Sequence, residues 1–254
     1  MSLAERRTSV STAIAAAVLA LLFSASSCGE RNGLESTEQR MPGEGAAPEA
    51  GLTALAAPEV PAHAPLVVFL GDSIAAGLHL AAGEAFPAVL QRELAADGLP
   101  FRLVNAGVSG DTSAGGLRRV EWLLDQDPDV LVVELGGNDG LRGQPTEAVE
   151  ANLRAIAATA RERGARVLLL GVRLPPNLGK EYVEAFEAVY PRLAEELDLA
   201  FVPFFMEGVA GEPELNLSDG LHPSAAGHRL LAEHVEPALR ALLVSLRSGG
   251  PKDE

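Results

Sequence analysis

Short apolar runs alternate with helical patterns along most of this chain, and this alternation restricts the fold more than any other feature. The runs are Leu66–Leu70, Phe101–Val104, Val130–Leu135 and Val167–Leu170, with a weaker fifth at Phe201–Pro203. Strands buried on both faces appear as nearly continuous apolar runs, and helical connections between them make such strands parallel. With right-handed crossovers, the pattern predicts an α/β fold: a three-layer α/β/α sandwich with a central, mainly parallel five-stranded sheet.

Three segments carry apolar residues at the spacing of one helical face. Two of these segments contain a proline, Pro191 or Pro237, that should kink or interrupt the helix. The three faces consist of Val149, Leu153, Ile156 and Ala160; of Tyr182, Phe186, Val189, Leu193 and Leu197; and of Leu231, Val235, Leu239, Leu242 and Leu246.

The composition is that of a globular protein with an acidic excess. Hydrophobic residues make up 47% and charged residues 22% of the 254 residues, and the net charge is −15 at pH 7. Binding to nucleic acid needs clustered Lys and Arg side chains, so the charge argues against nucleic acid as a partner. It argues equally against an electrostatic hold on anionic lipid.

The N-terminus has the pattern of an export signal that ends at the only cysteine. Arg6 and Arg7 precede an apolar stretch, Ala13–Phe23, of about eleven residues, which is too short to span a bilayer of roughly 30 Å as a helix. Small residues at 24–27 then lead to Cys28. The segment resembles a bacterial lipoprotein signal, which implies cleavage before Cys28 and its lipidation. The alternative is an ordinary secretory signal that is cleaved near the same place.

These patterns divide the chain into four parts. We expect a lipoprotein-type signal peptide at 1–27, a flexible acidic tether rich in Glu, Gly, Ala and Pro at 28–63, a globular domain at 64–247 and a disordered tail at 248–254. The expected product is an exported, monomeric lipoprotein. Its lipid would hold it to a membrane, and the domain would face the periplasm or the cell surface.

Ser73 is the first candidate for chemistry, because it directly follows the first predicted strand. There its hydroxyl can face the cleft at the carboxyl ends of the strands, where ligands bind in such folds. A serine at this place can equally be a plain helix N-cap. The nucleophile elbow G-x-S-x-G is absent, since Ala75 stands where that pattern needs glycine.

Asp219 and His222 lie in a glycine- and proline-containing stretch just before the last predicted helix. A histidine there can take a proton from a serine, and an aspartate three residues earlier can hold its Nδ1–H. The other possibility is a capping aspartate beside a surface histidine. The remaining histidines, His63, His79, His228 and His234, are interpreted as surface or helix positions.

Gly110 and Asn138 are candidate donors to an oxyanion. Gly110 lies in a turn after the second predicted strand, where its backbone N–H would be free of any side chain. Asn138 lies in the run Gly136–Gly140 after the third strand and can offer a side-chain N–H. Gly, Asn and Asp also dominate ordinary turns, which is the simpler explanation for both segments.

Taken in order, these residues resemble the four blocks of the SGNH, or GDSL, hydrolases. The matching positions are Ser73, Gly110, Asn138 and His222, with Asp219 completing the triad. The resemblance implies the SGNH hydrolase fold, a catalytic triad of Ser73, His222 and Asp219, and an oxyanion hole made by the backbone of Ser73 and Gly110 and the side chain of Asn138.

Three further segments extend the resemblance to the branch that contains periplasmic thioesterase, lysophospholipase and arylesterase enzymes. They are Val132–Gly143, Arg173–Asn177 and Phe204–Glu207. The branch implies hydrolysis of carboxylic esters and thioesters through an acyl-enzyme, with no cofactor and no metal. A deacetylase of an envelope polysaccharide is the alternative enzyme, and a non-catalytic ligand-binding lipoprotein is the alternative of another class.

Overall fold

The computed structural model describes residues 60–249. The predicted signal peptide at 1–27, nearly all of the predicted tether and most of the predicted tail lie outside these residues. Every strand and helix of the described part falls within 64–247. No helix in this part combines the length and the apolar character needed to cross a membrane.

Five strands and eight helices alternate along the described residues, with short 3₁₀ turns at Ala82–Glu84 and Pro176–Leu178. In chain order they are β1 (Leu66–Gly71), α1 (Ser73–Ala76), α2 (Phe86–Ala96), β2 (Arg102–Gly107), α3 (Ser113–Leu124), β3 (Val130–Glu134), α4 (Gly137–Leu141), α5 (Thr146–Glu162), β4 (Arg166–Leu170), α6 (Lys180–Glu187), α7 (Val189–Glu196), β5 (Ala200–Val202) and α8 (Ala225–Arg247).

The five strands form one parallel sheet in the order β2-β1-β3-β4-β5. The chain reverses its direction across the sheet after β2, so right-handed crossovers place α2 on one face and α3, α5 and α7 on the other. In agreement, α2 packs against α8, while α3 and α7 pack against α5. The predicted three-layer sandwich is confirmed, and the sheet is entirely rather than mainly parallel.

All five predicted apolar runs form strands, with ends that shift by a few residues. The largest difference is β2, which begins after Phe101 and extends to Gly107. The prediction that this strand is buried is wrong, because β2 lies at the edge of the sheet and its residues are half-buried or exposed. The central strands β1 and β3 are buried along their whole length.

The reversal in strand order positions the candidate site. Strand β1 lies between β2 and β3, and the connections that leave the carboxyl ends of β1 and β3 run to opposite faces of the sheet. A crevice at such a point is where parallel α/β sheets bind ligands. Ser73, Gly110 and Asn138 follow β1, β2 and β3 respectively, so all three candidates belong to this end of the sheet.

The two prolines of the predicted helices have different effects. Pro191 lies in the first turn of α7, and the predicted helix is interrupted at Ala188, where α6 gives way to α7. A proline has no N–H to donate and is best accommodated in the first turn of a helix, which explains why a new helix begins just before Pro191. Pro237 lies inside α8, which continues through it without interruption.

His228 lies in α8, which agrees with its interpretation as a surface or helix position, but its side chain is buried in the core. Its side chain is 1% exposed and packs between α8 and α2. The backbone N–H of Phe86 donates to Nδ1 at 3.1 Å, and the two rings stack with their centroids 6.2 Å apart. Burial lowers the pKa of His228 to about 4, so the imidazole is neutral.

Gly171 follows β4 at a place where the chain around β4 and β5 approaches closely, so a substitution of Gly171 tests this packing. Its N–H donates to Val202 O at 2.8 Å, and a Cβ added to it would lie 2.2 Å from Pro203 O. Gly171→Ala should lower the free energy of unfolding by about 1–3 kcal/mol in urea denaturation, because backbone must move. Gly83→Ala is the control, since its Cβ would meet nothing within 4 Å. Equal midpoints for the two variants would contradict this packing.

His228 should make the protein sensitive to acid. Its pKa is near 6.5 when unfolded and about 4 when folded, so the unfolded state binds more protons between these values. Its contribution to stability is present above pH 6.5 and is lost as the pH falls toward 4, by up to about 3 kcal/mol. His228→Gln keeps an acceptor for Phe86 N–H but does not titrate. Its free energy of unfolding should therefore fall less than that of the wild type between pH 7 and 4, and parallel curves would contradict the assignment.

Candidate active site

Ser73 is the first residue of α1 and lies in a turn whose backbone donors are almost all engaged. Asp72 Oδ1 accepts the N–H of Ile74 at 2.9 Å. Glu134 Oε2, at the end of β3, accepts the N–H of Asp72 at 3.0 Å and of Ala75 at 3.2 Å. Among the hydrogen bonds of the described residues, none uses the N–H of Ser73. The turn therefore leaves one donor open, on the residue that carries the hydroxyl.

Ser73, His222 and Asp219 form a continuous hydrogen-bonded chain. Ser73 Oγ lies 2.9 Å from His222 Nε2, and His222 Nδ1 lies 2.7 Å from Asp219 Oδ2. A carboxylate only accepts, so Nδ1 carries the proton and Nε2 is left to accept from the serine hydroxyl. The structure thus joins the three residues that the sequence separates by nearly 150 positions.

The loop before α8 holds Asp219 and His222 as one local unit. Asp219 Oδ1 accepts the backbone N–H groups of Leu221 and His222 at 2.9 and 3.0 Å. These two bonds and the bond from the imidazole hold the pKa of Asp219 well below its usual range, although the side chain is exposed. Gly220 has a φ of +70°, which the tight turn between them requires.

The two candidate oxyanion donors, Gly110 and Asn138, lie beside the hydrogen-bonded chain that begins at Ser73. Gly110 follows β2 with a φ of +80°, and none of the hydrogen bonds of the described residues uses its N–H. Asn138 lies in α4, a short helix in place of the turn that its glycine-rich surroundings suggest. Its Nδ2 donates to Asp72 Oδ2 at 3.0 Å. An amide nitrogen has two hydrogens, so one remains for another acceptor.

Arg142 joins the segments of the two donors. Its Nη2 donates to Gly110 O at 3.1 Å and lies 3.5 Å from Asn138 Oδ1. Behind it, Asp139 accepts both the N–H and the hydroxyl of Ser113, at 2.8 and 2.7 Å. Asp139 and Ser113 are buried, so these bonds tie α4 firmly to the start of α3.

Asp72 and Glu134 form a buried pair of carboxyl groups directly beneath Ser73. Burial raises the pKa of Asp72 to about 6, against the opposing effect of hydrogen bonds from Ile74 N–H and the Asn138 amide. Burial, followed by the charge of Asp72, raises the pKa of Glu134 well above its usual range. Together, Asp72 and Glu134 form the carboxyl pair of the site.

The roles of the carboxyl pair, of Arg142 and of the bonds between Asp139 and Ser113 were not predicted from the sequence. One signal was present: Glu134 is the only charged residue in the apolar run Val130–Leu135. A charge within a buried strand is seldom found without a specific partner. The predicted lipidation residue, Cys28, lies outside the described residues.

No group of three or more His, Cys, Asp or Glu side chains between residues 60 and 249 is arranged to hold a metal ion. The carboxyl pair, for instance, accepts from backbone and side-chain amides.

Three comparisons with known proteins agree with this geometry. Residues 69–230 match the model of the GDSL-like Lipase/Acylhydrolase family. The chain is 48% identical over 183 residues to Esterase TesA of Pseudomonas aeruginosa, covering 72% of this chain and 91% of that protein. It is 42% identical over 183 residues to Thioesterase 1/protease 1/lysophospholipase L1 of Escherichia coli K12, covering 72% of this chain and 86% of the relative.

Solved structures show the same fold. The crystal structure of TesA superposes with a TM-score of 0.68 at 48% identity, covering 70% of this chain and 99% of the other. A structure of the psychrotrophic esterase EstA from Pseudoalteromonas, inhibited by monoethylphosphonate, gives 0.67 at 32% identity, with 70% and 98% covered. The family model and these relatives, together with the site at the carboxyl ends of the strands, show that the chain belongs to the GDSL-like Lipase/Acylhydrolase family.

Proposed function

We propose that this protein is a serine esterase that hydrolyses carboxylic esters and thioesters through an acyl-enzyme. The observation that carries the proposal is the hydrogen-bonded chain from Ser73 Oγ through His222 to Asp219, with distances of 2.9 and 2.7 Å. These are the bonds that a general base needs in order to activate a serine hydroxyl. Family membership and the names of the relatives, which include an esterase and a thioesterase, support the same reaction class.

The proposed reaction has two halves that use the same residues. His222 Nε2 takes the proton of Ser73 as Oγ attacks the ester carbonyl, and Asp219 stabilises the resulting imidazolium. His222 then donates that proton to the leaving alcohol or thiol, and the acyl group stays on Ser73. Water enters and repeats the sequence, which releases the acid and restores the serine.

The oxyanion that forms in each half needs donors, and three are offered at the site. They are the N–H of Ser73, the N–H of Gly110 and the second hydrogen of the Asn138 amide. All three are free of other partners among the described residues, so each can form its bond as negative charge develops on the carbonyl oxygen.

Exposed apolar side chains beside the site favour esters with an apolar acyl group over acetylated glycan. Val108, Leu141 and Leu221 are 49%, 47% and 51% exposed, although large hydrophobic side chains are usually buried. Each lies within three residues of a candidate site residue: Gly110, Asn138 or His222. A sugar ring would need polar partners in these places, whereas an acyl chain packs against apolar ones.

Ser73→Ala should abolish ester hydrolysis. Removal of the nucleophile typically lowers kcat by at least about 10³-fold. The measurement is hydrolysis of p-nitrophenyl esters from acetate to palmitate by a protein that starts at residue 29. Ser218→Ala is a matched control, because Ser218 is exposed and makes no side-chain hydrogen bond in the described part of the chain.

The outcomes of this assay separate the three candidate functions. Activity that favours longer chains and disappears in Ser73→Ala supports the acyl esterase. Activity confined to acetate would favour the glycan deacetylase. A folded wild type with no activity on any ester would contradict an enzyme and favour a ligand-binding lipoprotein.

We also propose that the protein is exported and anchored by lipid on Cys28, so that the domain works as a monomer outside the cytoplasm. The support is the sequence pattern of Arg6, Arg7, the apolar stretch Ala13–Phe23 and the small residues before Cys28. A cysteine that no other cysteine can pair with then has a role as an acyl acceptor.

Cys28→Ala should remove the lipid and release the protein from membranes. Cells that express the full chain are fed an alkyne-tagged fatty acid. The cells are then separated into membrane and soluble fractions, and the protein in each fraction is tested for the label. The wild type should carry the label in the membrane fraction, and Cys28→Ala should carry none. An unlabelled wild type in the soluble fraction would support the ordinary secretory signal instead.

A further inference from the structure

The carboxyl pair lies outside the proposed reaction scheme, yet it touches both the nucleophile turn and an oxyanion donor. Glu134 binds the N–H groups on either side of Ser73, and Asp72 binds the amide of Asn138. Both side chains are almost fully buried, with 1% exposed for Glu134 and 3% for Asp72. Buried carboxyl groups without a cationic partner are costly, so their arrangement calls for a specific role.

The pair must contain a proton. Glu134 Oε2 accepts the backbone N–H of Asp72 at 3.0 Å, and the charge of Asp72 raises the pKa of Glu134, so the two buried carboxyl groups lie close together. Two carboxylates are both acceptors and cannot bond to each other. The hydrogen bonds that they accept, within residues 60–249, come from neutral amides: the N–H groups of Asp72, Ile74 and Ala75 and the Asn138 side chain. Burial disfavours a second negative charge beside the first, so one of the two groups stays neutral.

The acceptor pattern assigns that proton to Glu134. Both N–H groups that Glu134 accepts go to Oε2, so Oε1 is left to carry a hydrogen. Asp72 accepts on both of its oxygens, on Oδ1 from Ile74 and on Oδ2 from Asn138. The higher pKa of Glu134 agrees with this assignment, because the pKa of Asp72 is raised only to about 6.

We propose that neutral Glu134 donates a hydrogen bond to ionised Asp72, and that Asp72 thereby positions the Asn138 amide as an oxyanion donor. A hydrogen bond to an ionised acceptor is stronger and more directional than one to a neutral acceptor. With one amide hydrogen held by Asp72, the plane of the amide is set and its second hydrogen has a defined direction. Both residues are positioning residues, and the inference rests on the proposed esterase function.

Two nearly isosteric variants test the assignment. Asp72→Asn removes the charge, so kcat for a p-nitrophenyl ester should fall by roughly 10- to 100-fold with little change in KM. Glu134→Gln mimics the neutral acid, because its oxygen accepts the two N–H groups and its NH₂ donates to Asp72. Its kcat should fall by less than about tenfold. The reverse order, or equal losses in the two variants, would overturn the assignment.

A double variant shows whether Asp72 acts through Asn138. In an Asn138→Ala background, Asp72→Asn should change kcat by less than about threefold, because the group that it positions is gone. An undiminished effect would mean that Asp72 does not work through the amide. Thermal unfolding of each variant shows whether a loss of activity reflects a loss of the fold.

Infrared spectroscopy detects the protonated carboxyl group directly, and its result does not depend on catalysis. The wild type should show the C=O band of a protonated, buried carboxyl group, which persists in Asp72→Asn and disappears in Glu134→Gln. A band that disappears in Asp72→Asn and persists in Glu134→Gln would place the proton on Asp72 and overturn the proposal. If the folded wild type hydrolyses no ester and a p-nitrophenyl phosphonate leaves Ser73 unlabelled, the proposed function fails, and the infrared result still decides the proton.

Discussion

The site depends on the register between β1 and β3, which pairs Gly71 with Glu134. This pairing brings a carboxyl group directly under the turn that carries Ser73. A Cβ on residue 71 would lie 2.6 Å from Glu134 Oε2 and 2.5 Å from Ala75 Cβ, so only glycine leaves room for the bonds that Glu134 makes. A slip of one residue would turn Glu134 to the opposite face of the sheet and leave the N–H groups of Asp72 and Ala75 without their acceptor.

Two arginine side chains, Arg119 and Arg142, hold the loops around the end of β1 in place by hydrogen bonds. Arg119, on α3, donates to Gly71 O, Ala106 O and Asp111, at 3.0, 2.6 and 2.8 Å. It therefore joins the ends of β1 and β2 to the segment that presents Gly110. Arg142 performs the corresponding role between Gly110 and α4. The site is thus held by polar bonds at the ends of strands, whereas the hydrophobic core fixes the strands themselves.

Most of the fold and the polar chain at Ser73 could be predicted from the sequence. Buried parallel strands leave nearly continuous apolar runs, and β1 and β3 were visible for that reason. Ser73, Gly110, Asn138, Asp219 and His222 could be selected because each follows a strand or precedes a helix at the expected place. The family match and the relatives confirm the family, the fold and the class of reaction.

The rest depends on which elements lie side by side, which local patterns do not encode. The half-exposed β2 and the buried His228 follow from strand order and from the packing of α8 on α2. The carboxyl pair joins residues 62 positions apart, so neither residue alone indicates the other. Asn138 lies in a helix although its neighbours are turn formers, because α4 is held to the adjoining segments by Asp139, in its middle, and by Arg142, directly after its end.

Asp219 and His222 are held together by three hydrogen bonds within four residues of chain, and only the bond to Ser73 crosses the fold. The base and the group that orients it therefore behave as a single rigid body. Any displacement of the loop before α8 would therefore lengthen the contact between His222 and Ser73, while the imidazole would keep its tautomer and its aspartate.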